Sequence, residues 1–409
     1  MRLKRLYSVL AACGLVLLWW YRFAVDSSQK PAEDPFSPRP FPPLIDTDEP
    51  LYPFHTPLRT RGRDVVDRNN QRVKLASVNW YGGSDELFIP SGLDIRHRSE
   101  IARLIRHLGF NSVRLPYSDE MVTNNPMIKA DLLSANKDLI GLRALDVYIA
   151  IVESLTDDGI AVIPNNHITQ ATWCCGINIC DTAWYNDHLG SVCRVSQTED
   201  QWIENWVTVM SPFANNSLVI GADLRNEPRG FWGTMPWSKW ATAAERVGNR
   251  LLAINPHWLM FVEGVSSSND LSGARKRPVV LNIPDRVIYS AHVYSWSGWG
   301  SREGMYAKRP FPSFVKSMKE NWAFLLEENI APVWVGEFGG PHEPNEGDLH
   351  YWNNLLEFLK LVDADFAYWA INPRKPHHDE KEGYSLVEDD WKTPILDYRL
   401  RDMLELIRQ

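Results

Sequence analysis

Two glutamates carry the chemistry this sequence offers most plainly. Residues 219–224 form a short, mostly apolar run leading into Arg225-Asn226-Glu227-Pro228, and residues 332–336 form another leading into Glu337-Phe338-Gly339-Gly340. Two carboxyls on rigid approach strands can divide glycosidic cleavage between them. One protonates the leaving oxygen while the other attacks or stabilises the sugar carbon. Asn226 sets an amide beside the first carboxyl, where it can hold a sugar hydroxyl. The attacking carboxylate must be ionised, which a nearby arginine favours. The acid must be protonated at working pH, which calls for a more desolvated and less cationic setting.

The elements that position these groups follow from periodicity. Short β-branched runs predict strands over 73–79, 112–115, 160–164, 219–224, 259–263, 287–291, 332–335 and 366–369. Helical spacing predicts helices over 99–108, 144–158, 238–254, 311–328 and 348–361, the first two ending at Gly109 and Gly159. Eight strands, mostly separated by helices, imply parallel pairing through crossovers. A closed (β/α)8 barrel, the TIM-barrel fold, fits the length available. Such a barrel places its chemistry at the carboxyl ends of its strands. The polar residues collect there: Asn79, Arg114, Asn165 to His167, Asn226-Glu227, Glu263, His292, Tyr294, Glu337 and Trp369. Singly, each has a plainer reading. Arg114 could form a structural ion pair at the barrel rim, and His167 and His292 could be hydrogen-bonded structural imidazoles. Glu263 is read as a supporting group, because no asparagine precedes it.

The rest of the chain bounds location and partners. The net charge is −8, and basic residues cluster only in the first few positions, which argues against nucleic acid as a partner. A monomer is expected, and the chemistry requires no cofactor or metal. Arg2, Lys4 and Arg5 precede an apolar run from Val9 to Trp20 that can extend from Leu6 to Val25. Residues 1–25 are therefore an export signal, either a cleaved peptide or a retained anchor. The anchor reading makes a single-pass type II membrane protein with a lumenal or extracellular catalytic domain; cleavage makes a secreted one. Residues 26–57 are proline-rich. They read as a semi-rigid tether, or alternatively as an ordered strap along the domain, with the catalytic domain over 58–409. Cys174, Cys175, Cys180 and Cys193 crowd one loop region. In an exported domain they predict two disulfides, with ring strain disfavouring Cys174 to Cys175; a zinc site is the alternative. Asn215-Asn216-Ser217 is a glycosylation sequon. His377-His378-Asp379-Glu380 looks metal-like but reads as a solvated charged loop. Among the 18 tryptophans, Trp296 and Trp299 are the better cleft candidates, and Trp240 is expected in the core.

Taken together, Ser112-Val113-Arg114-Leu115, Asn166-His167, Leu224-Arg225-Asn226-Glu227, His292-Val293-Tyr294, Gly336-Glu337-Phe338-Gly339 and Tyr368-Trp369 resemble glycoside hydrolase family 5, the cellulase-like retaining (β/α)8 glycosidases. The stretch around Trp173-Cys174-Cys175 is similar to a fungal and plant subgroup. The resemblance covers about Val73 to Trp391. It implies Glu227 as acid/base and Glu337 as nucleophile, with the carboxyls about 5 Å apart. It also implies that Asn226 binds near the reacting sugar, that Arg114 and Tyr294 orient Glu337, and that His167 and His292 complete a polar floor. Trp369 becomes the platform under the sugar at the cleavage point. The expected activity is hydrolysis of β-linkages in a glucan-type or related glycan. A transglycosylase and a non-catalytic glycan-binding barrel are the alternatives.

Overall fold

The computed structural model describes residues 39–47, 54–175, 178–376 and 380–408. The predicted membrane segment and His377 to Asp379 lie outside these residues. Among the described residues, no helix is long and apolar enough to cross a membrane.

A hairpin, β1 (Arg59–Arg61) and β2 (Asp64–Val66), precedes eight parallel strands. These are β3 (Ala76–Asn79), β4 (Ser112–Ser118), β5 (Ala161–Ile168), β6 (Gly221–Asp223), β7 (Leu259–Glu263), β8 (Val287–His292), β9 (Val333–Phe338) and β10 (Asp365–Tyr368). They close in sequence order, with β10 pairing β3. The expected (β/α)8 barrel is the observed one.

Strand periodicity builds two cores and one polar layer. Val78, Val113, Val162, Ala222, Val262, Ala291 and Val335 join the apolar shell shared with the surrounding helices. Alternate residues point inward. At the amino end Leu75, Ile163, Leu259, Phe261, Ile288 and Trp334 fill the barrel, with Leu58 and Val65 of the hairpin region packed beneath them. Toward the carboxyl end the inward positions turn polar. Ser77 bonds Ser112 at 2.6 Å, and above them come Asn79, Arg114 and Asp223.

The observed elements differ from expectation where polarity misleads. β4 and β5 run on to Ser118 and Ile168, through Asn165-Asn166-His167, because inward polar residues at a barrel mouth still make ladder bonds. The helix Glu199–Met210 was missed, although Thr198 and Gln201 form a capping box at its start. The helix Tyr398–Ile407 was also missed. Residues 41–47, assigned to the tether, instead follow the alternative strap reading. Phe41 and Leu44 pack on the core, and the Ile45 amide donates to the His107 carbonyl at 3.0 Å.

Candidate active site

Arg114 organises the mouth of the barrel. It extends from β4 with none of its side chain exposed, and each of its five N–H donors has a partner. Nε donates to Asp223 at 2.7 Å. Nη1 donates to Asn79 Oδ1 at 3.0 Å and Glu337 Oε1 at 2.5 Å. Nη2 donates to Asn226 Oδ1 at 2.8 Å and Glu263 Oε1 at 2.9 Å. One cation thus meets three carboxylates. Burial, reinforced by the Asp223 carboxylate, pushes Glu263 well above the usual range, against the pull of Arg114. Arg114→Met is expected to destabilise the fold by about 3–5 kcal/mol, since buried acids lose their cation. Thermal denaturation checks this. Arg114→Lys should fall between the two, because it keeps the charge and loses the fork.

Glu337 reaches this cluster through an irregularity in β9. Ala291 pairs with Val335, but His292 pairs with Glu337, so one extra residue is inserted. The same shift separates the Phe366 and Tyr368 pairings on the other side. The bulge re-aims Glu337 into the mouth. Gly336 makes it possible, since a Cβ there would come within 2.5 Å of Ser290 Oγ and 3.0 Å of the Trp334 ring. The second carboxylate oxygen of Glu337 accepts from Tyr294 Oη at 2.9 Å. Burial, with Glu337 adding to it, raises the Tyr294 phenol well above its ordinary range, so it stays a neutral donor.

Glu227 sits across the cleft in a different environment. Its φ is 47°, left-handed backbone that a non-glycine residue rarely adopts. Its N–H donates to Glu263 Oε2 at 2.7 Å, and the Ser268 hydroxyl bonds the same oxygen. Glu263 therefore anchors the strained turn that presents Glu227. About 17 % of the Glu227 side chain is exposed. Burial raises its carboxyl above the ordinary range, against the pull of Arg229 and Arg114. His292 Nδ1 lies 3.3 Å from Glu227 Oε1 and 3.7 Å from Glu337 Oε2. Burial lowers His292 to about 4, so it is a neutral imidazole between the acids. A carboxylate oxygen of Glu227, a ring nitrogen of His292 and a carboxylate oxygen of Glu337 all lie within 4.8 Å of one another.

Glu227 and Glu337 both line a cleft of about 460 Å³, and Glu263 does not. Asn226 and His167 also face it. His167 Nδ1 is 2.8 Å from Asn165 Oδ1, and burial, then Arg114, lowers its pKa well below the usual value. Trp369 lines the cleft and lies nearly parallel to the rings of Tyr81 and His167, with centroids 5.1 and 5.5 Å away. Trp296 lines it too, stacked on Tyr294 at 4.4 Å. Trp299 is 83 % exposed and outside the lining, and Trp240 is fully buried as expected.

Several contributors escaped the sequence reading. Asp223 holds Arg114 beside the expected Asn79, and Tyr81, Asp85, Tyr384 and Glu382 line the cleft. Asp223 follows the inward alternation of β6 by one position from Leu224, a spacing that could have flagged it. The tyrosines and acids of the loops carried no comparable signal. The cysteines pair as Cys180–Cys193 and Cys174–Cys175. The second pair corrects the expectation from ring strain. Paired in this way, the four sulfurs are not thiolate ligands for zinc. Asn215 is exposed in the turn before β6.

Comparison with known proteins agrees with this geometry. The model of the cellulase family, glycosyl hydrolase family 5, matches residues 66–375. An endoglucanase of Paenibacillus polymyxa is 31 % identical over 351 residues, covering 82 % of this chain and 83 % of its own. A glycosyl hydrolase 5 family protein of Chamaecyparis obtusa is 29 % identical, covering 87 % of this chain and 67 % of its own. The catalytic domain of the major endoglucanase of Xanthomonas campestris superposes with a TM-score of 0.72 at 26 % identity, covering 86 % of this chain and all of that one. A cellotetraose complex of the Pyrococcus horikoshii endocellulase gives 0.71 at 26 % identity, with 86 % and 99 % covered. With the family match spanning nearly the whole barrel and both glutamate loops, the chain belongs to glycosyl hydrolase family 5 and is a glycoside hydrolase.

Proposed function

We propose that this protein cleaves β-linked glucan chains with retention, using Glu337 as nucleophile and Glu227 as acid/base. The observation that carries the reading is the pair of carboxylates within 4.8 Å of one another across one neutral imidazole. Nearest oxygens this close suit a retaining pair, whose carboxyl groups stand about 5–5.5 Å apart, better than an inverting pair at about 6.5–9.5 Å. Glu337, bonded by Arg114 and Tyr294, attacks the anomeric carbon while Glu227 protonates the leaving oxygen. Glu227 then takes the proton from the incoming water. Asn226 binds a hydroxyl of the reacting sugar, His167 contributes to the floor, and Trp369 is the platform beneath it. The endoglucanase relatives and the cellotetraose complex support a β-glucan substrate. Proton NMR of the first product should show the β-anomer before mutarotation; an initial α-anomer would overturn the mechanism. A screen on β-glucan, cellulose, mannan and aryl glucosides ranks the substrates, and product analysis reports any transfer to sugar acceptors.

In this reading the enzyme is a monomer of the secretory pathway that carries a glycan at Asn215. A matched relative is named as a major extracellular endoglucanase, which supports export. The segment from Leu6 to Val25 stays uncleaved, because Trp19-Trp20-Tyr21-Arg22-Phe23 offers no small-residue cleavage site. Alkaline carbonate should leave the mature protein in the membrane fraction with its N-terminus intact. A soluble chain starting after Ala24 would mean the segment is only a signal peptide.

A further inference from the structure

The Cys174–Cys175 disulfide lines the same cleft as the two glutamates, whereas Cys180–Cys193 does not. We infer that the adjacent-cysteine disulfide is a specificity-determining wall of the sugar site that positions the Asn226 amide for a sugar hydroxyl. This rests on the function proposed above.

Asn226 has one orientation open to it. Its Oδ1 is committed to Arg114 Nη2 at 2.8 Å, which turns Nδ2 away from the barrel axis. Nδ2 then lies 3.5 Å from Cys174 Sγ and 3.3 Å from Cys175 Sγ. Disulfide sulfur is a weak acceptor, so it holds the amide in direction without competing strongly for its hydrogens. A sugar hydroxyl arriving at the cleft meets donors already aimed. The preceding residue extends the wall. Trp173 stands edge-on to Tyr81 at 5.2 Å and to Trp369 at 6.4 Å, so aromatic rings and sulfur form one apolar, polarizable surface. Such a surface suits the C–H face of a pyranose. Cys180–Cys193 closes a separate stretch of the loop and has a structural task.

Reduction would undo the arrangement. An external dithiol delivers two electrons and two protons, the S–S bond breaks to two thiols, and the dithiol closes to its own disulfide. The thiols can rotate apart and donate, so Asn226 loses its guide.

The test compares the wild type, the Cys174→Ser/Cys175→Ser variant and the Cys180→Ser/Cys193→Ser variant on an aryl β-cellobioside and its analogue lacking the 2-hydroxyl at the cleaved glucose. Loss of one well-directed hydrogen bond predicts a fall in kcat/KM of about three- to tenfold on the full substrate. The 2-deoxy analogue should react equally with the wild type and the Cys174/Cys175 variant, which a merely structural role would not produce. The Cys180/Cys193 variant should melt lower and keep the full discrimination. Dithiol treatment should reproduce the loss in the wild type and leave the kcat/KM and discrimination of the Cys174/Cys175 variant unchanged, although reduction of Cys180–Cys193 lowers the melting point of both. If the active wild type and that variant discriminate equally, or if dithiol moves the kcat/KM of both alike, the inference is overturned alone. If the wild type turns over no β-glucoside, the substrate reading falls and takes the inference with it.

Discussion

Glu337→Gln is expected to lower turnover by about 10⁴-fold or more while leaving the barrel folded. The amide keeps the shape of the side chain and cannot form the glycosyl ester. Its neighbours remain satisfied. Arg114 keeps its bonds to Asp223, Asn79, Asn226 and Glu263, and the Tyr294 hydroxyl still faces the carbonyl or amino end of the new side chain. Thermal denaturation should therefore differ little from the wild type. A 2-fluoro sugar that traps the intermediate should label Glu337, and peptide mapping locates the adduct. Label on Glu263 would reverse the assignment. The geometry opposes that outcome, because Glu263 is fully buried and outside the cleft lining, while Glu337 lines it. Both Glu263 oxygens are also engaged, Oε1 by Arg114 and Oε2 by the Glu227 N–H and the Ser268 hydroxyl.

Much of this site was legible in the chain because it lies on regular elements. Inward alternation places Arg114, His292 and Glu263 at strand ends, and eight apolar runs suffice to say which ends converge. The two glutamates follow from the same logic. What stayed hidden depends on exceptions to it. The bulge at Gly336 and Glu337 is visible only once His292 is seen to skip a partner, although the glycine reflects a position with no room for a side chain. The left-handed backbone at Glu227 and at Ser266 to Ser268 has no glycine to announce it, because Glu263 and its hydrogen bonds enforce it from another strand. Asp223 is short, sits between apolar neighbours, and acquires its meaning from Arg114 more than a hundred residues away.

Glu227→Ala is expected to slow hydrolysis of substrates with poor leaving groups by about 10²–10⁴-fold. Its effect on activated aryl glycosides should be much smaller in the first step, because a phenolate with a low pKa departs without a proton. The covalent intermediate then accumulates on Glu337, since no base activates water. Added azide, a small nucleophile needing no deprotonation, should restore turnover and yield a β-glycosyl azide. The pH profile gives a second signature. Burial raises the Glu227 carboxyl, so its acid form persists to higher pH than an ordinary glutamate's. For a poor leaving group, kcat/KM of the wild type should fall as pH rises through that raised value, because only the protonated form can donate. The basic limb should vanish in Glu227→Ala. His292 does not account for the limb, as burial holds it near 4 and leaves it neutral throughout that range. Equal loss on both substrate classes, without azide rescue and with the basic limb retained, would move the acid role to another group.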